Sequence, residues 1–383
     1  MIKPFKLRVP NNTLNNIYNK VKKYPWTNIQ NMNGWEHGTN LKYLKEISKY
    51  WLTEFNWRKQ EKKINKFSNN LTKVDGISIH FIKENGSGIN PMPLLILHGW
   101  PGSFVEFLNI IEKLAHPEKF GGKKEDSFDV IVPSLPGFGF SGSSNKPIGP
   151  RKIAKIMNKF MTKNLGYKKY LSQGGDWGAT ISNWLGYDYS KSCKGIHINF
   201  LSMRHPRGAK TKQEKNWETR FEKQQILQEG YRTQQATKPQ SLSYAMIDSP
   251  VGTAAWILEK FFSWSDIKNN KIDKVFSKDT LLTNIMVYLI TNTFNTASWI
   301  YFGRREEGGR LFPKNFKKIK VPTAIAEFPK EMSEWPPKSY VKKIFNLQSW
   351  TKMRRGGHFP ALEQPDLLVN DIRRFAKKIS KTL

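Results

Sequence analysis

The sequence predicts an α/β fold: a mostly parallel sheet with helices on both faces, interrupted by a helical insertion. Three observations carry this. Short apolar strand candidates at 93–98, 128–135, 168–173 and 195–201 alternate with helical stretches, the pattern of a buried parallel sheet. Residues from about 204 to 305 lose the strand signal and turn helical, rich in Gln, Lys and aromatics, before strand candidates return at 321–328 and 349–355. Between the third and fourth strand candidates, Gly174-Gly175-Asp176-Trp177-Gly178 spells a tight strand-to-helix turn.

Taken in chain order, residues 1–90 read as a helical and irregular lead-in that wraps the rest. Leu41, Leu44, Ile47, Trp51 and Leu52 recur at helical spacing after Thr39-Asn40, which can cap, and Trp26, Trp35 and Trp57 lie nearby. That stripe is most simply a surface packed onto another part of the chain. The first core part is expected over 91–203, the lid over 204–305 and the second core part over 306–383, closing on the amphipathic stretch PDLLVNDIRRFAKKI. Ser103 and Glu106 have the spacing of a capping box at the helix after the first core strand. An insertion between parallel strands lies over their carboxyl ends, where ligands sit in such folds.

The bulk numbers bound the function. At 383 residues with 13 Trp, the chain can bury one large α/β core with insertions. No window reaches the roughly 18 apolar residues of a membrane helix, and the start has no signal-peptide run. The single Cys193 excludes an intrachain disulfide and a cysteine metal cluster, so a soluble cytoplasmic protein of a reducing compartment is expected. The net charge of +32 is spread among acids and apolar residues, with no basic block or nucleic-acid motif. Compositional drift explains it more simply than a charged partner. No nucleic acid is expected; weak association with an anionic membrane surface and a homo-oligomer stay open.

The turn at Asp176 is a nucleophile elbow, G-x-S-x-G, with aspartate in the place of serine, which points to an α/β-hydrolase core. The chain order of that fold, nucleophile then acid then histidine, can be met by Asp176, an acid near 331, and His358 in RGGHFPALEQP. Backbone N–H groups of Trp100, in HGWPGS, and of Trp177 can form a two-donor oxyanion hole. His98 in the same turn reads as structural. Serine attacking a saturated carbon would give an inert ether. Aspartate gives an alkyl ester that water, activated by a histidine–acid pair, can cleave. The substrate should therefore carry an electrophilic sp³ carbon, as in an epoxide or an alkyl halide. An epoxide oxygen needs an acid, for which the lid offers Tyr231 and Tyr301, so the epoxide is favoured.

With these residues in hand, the chain resembles the microsomal and juvenile-hormone branch of the epoxide hydrolases along essentially its whole length. PFKLRVP, WEHGTNLKYLKEISKYWLTEFNWRKQE, HGWPGSF, LPGFGFSG, GGDWG, DSPVGTAAWILEKF and RGGHFPALEQPDLLVNDIRRF carry the resemblance, together and in order. It implies an N-terminal segment wrapped round an α/β-hydrolase core with a helical lid. It also implies Asp176 as nucleophile, His358 as base, Glu331 of FPKE as the acid, and Tyr231 and Tyr301 as epoxide-oxygen donors. No cofactor or metal is implied; the partners are a small apolar epoxide and water. Microsomal members carry an N-terminal membrane anchor, and this sequence opens with the segment that would follow it, so no anchor is expected.

Two other readings share features with this one. A haloalkane dehalogenase uses the same Asp–His chemistry but has no need of two lid tyrosines. A non-catalytic basic surface-binding protein rests on charge alone. Glu327 and Glu334 compete with Glu331, and Tyr244 with the two lid tyrosines.

Overall fold

The structure, a computed structural model, describes residues 1–26, 29–30, 32 and 34–380. Its strands are β1 (Lys3–Pro4), β2 (Asn69–Val74), β3 (Ile77–Glu84), β4 (Met92–Leu97), β5 (Phe128–Pro133), β6 (Tyr170–Gly174), β7 (Cys193–Ile198), β8 (Ile319–Glu327) and β9 (Phe345–Lys352). They form one sheet in the order β1-β2-β3-β5-β4-β6-β7-β8-β9. The strands from β4 to β9 pair in parallel, while β1, β2 and β3 add an antiparallel flank onto β5. Leu94, Leu95, Ile96 and Leu97 of β4 are all buried, as expected of a central strand with helices on both faces.

The strands of the parallel core begin and end within a few residues of the sequence expectation, apart from β9, which starts four residues early. The lead-in differs more. Residues before 90 are not only helical and irregular, because β1 to β3 lie there. Asn69–Val74 is polar and short, so it lacks the apolar run that marks a buried strand. It becomes a strand because β3 pairs with it and with β5 at once. A local signal did exist: Asp75 and Gly76 both have positive φ, +48° and +84°, and join β2 to β3 in the Asp-Gly hairpin turn.

The helix Leu41–Thr53 forms as expected, with Asn40 accepting from the Tyr43 N–H as its cap. Its buried stripe is Leu44, Ile47, Ser48 and Trp51, while Leu52 faces outward at 42 % exposure. Ser103 caps a short 3-10 turn, Phe104–Phe107, through the Val105 N–H rather than opening an α-helix directly.

Six helices between β7 and β8, from Lys212–Leu227 to Phe294–Glu306, cover the carboxyl end of the sheet. The N-terminal segment holds them in place. Trp35 stacks on Phe262 with ring centroids 4.1 Å apart, and Asp279 accepts from Tyr50 Oη and Gln60 Nε2 at 3.0 and 2.9 Å. Among the described residues no helix is long and apolar enough to cross a membrane.

Candidate active site

β6 ends at Gly174 and a helix begins at Asp176, whose φ is +44°. A non-glycine residue rarely occupies that left-handed region, and holding it there costs of order 1–3 kcal/mol. The glycines make the turn geometrically possible. A Cβ on Gly178 would collide with the Leu97 carbonyl, one on Gly174 with the Gly178 backbone, and one on Gly99 with the Asp176 carboxylate. Strand, helix and the β4 turn therefore close up around one side chain, which projects at the carboxyl end of the sheet.

Three more loops at the same end converge on it. From the loop after β4, the Trp100 N–H donates to Asp176 Oδ1 at 2.8 Å. The Trp177 N–H lies in the first turn of the Asp176–Asp188 helix, where no intrahelical acceptor exists. From the loop after β9, His358 Nε2 stands 3.4 Å from Asp176 Oδ2, a charge contact without hydrogen-bond alignment. From the loop after β8, Glu331 Oε1 accepts from His358 Nδ1 at 2.6 Å. Glu327 instead accepts from Trp350, and Glu334 pairs with Arg220 at the surface. The carboxyl group facing the imidazole is thus that of Glu331.

His358 is fully enclosed. Burial opposes its protonation, but the charges of Glu331 and Asp176 outweigh burial and lift the imidazole well above its ordinary value. Its loop is fastened from below by Glu363, which accepts from the N–H groups of Gly357 and Phe359. The lid fastens it from above, where the Trp264 carbonyl accepts from the His358 N–H. His98 plays a different part. Its Nδ1 bonds the Gly99 carbonyl, Nε2 accepts from the Leu135 N–H, and burial pushes its pKa down to about 4. It is a neutral brace for the β4 turn.

Tyr231 and Tyr301 descend from the lid helices Glu229–Thr237 and Phe294–Glu306. Tyr231 stacks on Trp100 with centroids 5.3 Å apart, and Tyr301 sets its edge against Trp177 at 4.7 Å. Burial raises both phenols above their ordinary range, so both stay protonated at neutral pH. The Tyr301 hydroxyl is buried with no hydrogen-bond partner among the described residues. Tyr244 is 70 % exposed and bonds Gln240, away from this cluster.

Two spaces flank Asp176. One, bounded also by Trp177, Phe200, Tyr231, Tyr301 and Met332, opens under the lid. The other lies behind, among Glu106, Gln173, Asn199 and His358. Gln173 Oε1, Asn199 Nδ2 and His358 Nε2 in that second space are buried without hydrogen-bond partners among the described residues. Burial pushes the Glu106 carboxyl up to about 8. Reading the sequence missed Glu106 in this role, as well as Trp264 and the arginines under the lid. For Arg304 a signal was available, because it lies three residues after Tyr301 on one helix face. Among the described residues no three His, Cys, Asp or Glu side chains could share a metal ion.

Residues 2–107 match the family described as the epoxide hydrolase N terminus, and residues 92–245 match the α/β hydrolase fold. Epoxide hydrolase 1 of Sus scrofa is 37 % identical over 401 residues, spanning 98 % of this chain and 88 % of that protein. Juvenile hormone epoxide hydrolase 1 of Ctenocephalides felis is 32 % identical, spanning 99 % of this chain and 86 % of its own. Among solved structures, juvenile hormone epoxide hydrolase from the silkworm Bombyx mori aligns over 100 % of this chain and 95 % of that one. Its TM-score is 0.88 at 27 % identity. The Aspergillus niger epoxide hydrolase aligns over 99 % and 97 % of the two chains, with a TM-score of 0.85 at 29 % identity. Likeness of this extent, end to end and on the same α/β-hydrolase sheet, makes the chain a member of the epoxide hydrolase family of enzymes.

Proposed function

We propose that this enzyme converts an epoxide and water to a vicinal diol through a covalent ester on Asp176. The epoxide lies in the aromatic-walled space under the lid, its oxygen accepting from Tyr231 and Tyr301. Asp176 attacks a ring carbon, the C–O bond breaks, and one phenol delivers its proton to the departing oxygen. The raised phenol pKa values suit that donation, because the proton is present at neutral pH.

The second step belongs to His358, Glu331 and the space behind the nucleophile. Esterification removes the negative charge of Asp176, one of the two charges that lift the imidazole. Its basicity then falls, and a neutral imidazole can take a proton from water in the polar space beside Gln173 and Asn199. That water attacks the Asp176 carbonyl carbon, while the oxyanion is met by the backbone N–H groups of Trp100 and Trp177. Collapse expels the second oxygen, which takes the proton of the acid formed at Asp176, so the diol leaves and the carboxylate returns; the imidazolium proton then restores the phenolate left by ring opening. Glu331 orients the ring and balances the imidazolium.

The observation that carries this reading is the carboxylate on the elbow, with the Trp100 N–H on one oxygen and His358 beside the other. The test is one turnover by excess enzyme in oxygen-18 water. The label should enter the Asp176 carboxylate and be absent from the diol. Label going straight into the diol would mean that water opens the ring and Asp176 is not the nucleophile.

A further inference from the structure

The space under the lid is not lined by aromatic groups alone, because Arg232, Arg304 and Arg310 also border it. Against these three guanidiniums its lining holds one carboxylate, that of Asp176. Arg232 has an ion pair of its own, with Glu229 at 2.8 Å. Arg304 and Arg310 donate only to neutral oxygens among the described residues. Arg304 gives Nε to the Gly309 carbonyl and Nη2 to that of Ser202, and Arg310 gives Nη2 to Gln225 Oε1.

Arg304 is 8 % exposed and lies with its guanidinium 5.2 Å from the Trp177 ring centroid. Burial and the Arg232 charge lower its pKa to about 10, so it stays charged at neutral pH. A buried cation with no ion pair of its own is costly, and proteins rarely keep one without use. The buried Gln225 makes the arrangement firmer. Its carbonyl accepts from both Arg232 and Arg310 at 2.7 Å, and its amide donates to Ser333 Oγ at 3.2 Å. A neutral side chain thereby holds two like charges together at the wall of the cavity. Once Asp176 is esterified, its charge is gone and no carboxylate remains in that lining.

We propose that this pocket takes epoxides that carry a carboxylate, the anion resting on Arg304 and Arg310 and the apolar body against Trp177, Phe200 and Met332. The inference rests on the reading of Asp176 as the nucleophile in the same pocket, and it names the substrate class. Guanidinium forks match carboxylate geometry, and a buried charge-assisted contact discriminates strongly against a neutral isostere. The net charge of +32 would also draw an anion toward the protein, with a rate that falls as salt rises.

The test compares trans-3-phenylglycidate with its carboxamide, and styrene oxide as a substrate with no third group. The acid should exceed the amide in kcat/KM by about tenfold or more. Arg304→Gln and Arg310→Gln should each reduce that preference about tenfold, chiefly through KM. Arg310 is only half-buried, so its variant remains informative should Arg304→Gln fold poorly. In parallel, 3-phenylpropanoate and 3-phenylpropanamide are titrated against tryptophan fluorescence, which needs no turnover. The acid should bind more tightly, and the variants should erase the difference. Equal use of acid and amide overturns the proposal. So does an equal loss on both in the variants, which would make Arg304 a group acting on Asp176 or the phenols. If none of the epoxides turns over while arginine-dependent binding of phenylpropanoate persists, the hydrolase reading fails and the anion site stands.

Discussion

On the proposed mechanism, Asp176 presents its carboxylate to a substrate and later leaves its carbonyl carbon open to water, and its neighbours divide those tasks. Trp100 holds one oxygen and His358 borders the other, while the lid phenols face the substrate side. His358→Gln should still open the ring but stall at the ester, with hydrolysis slowed by about 10²–10⁴. An alkyl-enzyme adduct on Asp176, read by mass spectrometry, is the expected signature; an inert variant without adduct would move His358 to the first step. Glu331→Gln should slow the same step less. It removes a charge that raises the imidazole, so the rising limb of hydrolysis rate against pH should move to lower pH. An unchanged limb would mean that Glu331 does not set His358. At the other end of the cluster, Tyr231→Phe and Tyr301→Phe should each slow ring opening, and the double variant should be nearly dead on epoxides. Stopped-flow tryptophan fluorescence resolves this step, because Trp100 and Trp177 adjoin the ester. Ring opening at the wild-type rate in the double variant would sink the tyrosine assignment.

Among the elements, the junction of β4, β6 and the Asp176–Asp188 helix is the least tolerant. Gly178 sits against the Leu97 carbonyl, so Gly178→Ala forces backbone apart and should destabilise by about 3 kcal/mol, the upper end of the usual overpacking cost, or prevent folding. Gly230, in the lid helix Glu229–Thr237 beside Tyr231, has nothing within 4 Å of the place a Cβ would take. Gly230→Ala should therefore be tolerated and gain about 0.5–1 kcal/mol from helix propensity. Urea midpoints of the two variants give the comparison. Similar shifts would show that the close approach at the elbow is relaxed in solution. The lid is seated by a second close approach, where Gly303 lies against Ile148 and Gly149, and Thr296 Oγ1 donates to the Gly137 carbonyl at 2.6 Å. The loop from Leu135 to Gly149 thus acts as a saddle for the helix that carries Tyr301 and Arg304.

For the molecule as a whole, buried titratable groups set how stability depends on pH. Burial lowers His98 to about 4 and His80 to about 3, both from 6.5. The unfolded chain binds more protons below pH 6.5 at these two sites, so they lose stability as pH falls from there. Burial raises Glu363 to about 7 and Glu106 to about 8, from 4.5. The folded chain holds those protons longer, so they lose stability as pH rises above 4.5. Between 4.5 and 6.5 the two pairs oppose each other. Above 6.5 only the carboxyls still act, joined by His358, whose raised value likewise favours the folded state at lower pH. Urea midpoints should therefore be level from about pH 4.5 to 6.5 and fall by pH 8.5. A midpoint that climbs steadily to pH 8.5 would contradict the buried carboxyls.

The sequence by itself determined what depends on short stretches of chain. The alternating apolar runs gave the parallel core, and the glycines around Asp176 gave the elbow, because a left-handed turn under close contact admits few spellings. The motifs HGWPGSF, FPKE and GGHF supplied the remaining loops, and the loss of strand signal after 204 supplied the lid. Tertiary structure alone decided what comes from pairs distant in the chain. The Trp264 carbonyl of the lid meets the His358 N–H, and the polar stretch Asn69–Val74 is held as a strand by its partners. It also decided the charge of the pocket. In a chain with 63 Lys and Arg, the spacing from Tyr301 puts Arg304 on the site face of its helix, but no local pattern shows its burial or separates Arg310 from solvated surface residues. Their burial against Trp177 and Gln225 is a property of the closed lid, since the cost of an unpaired cation arises only once water is removed from around it.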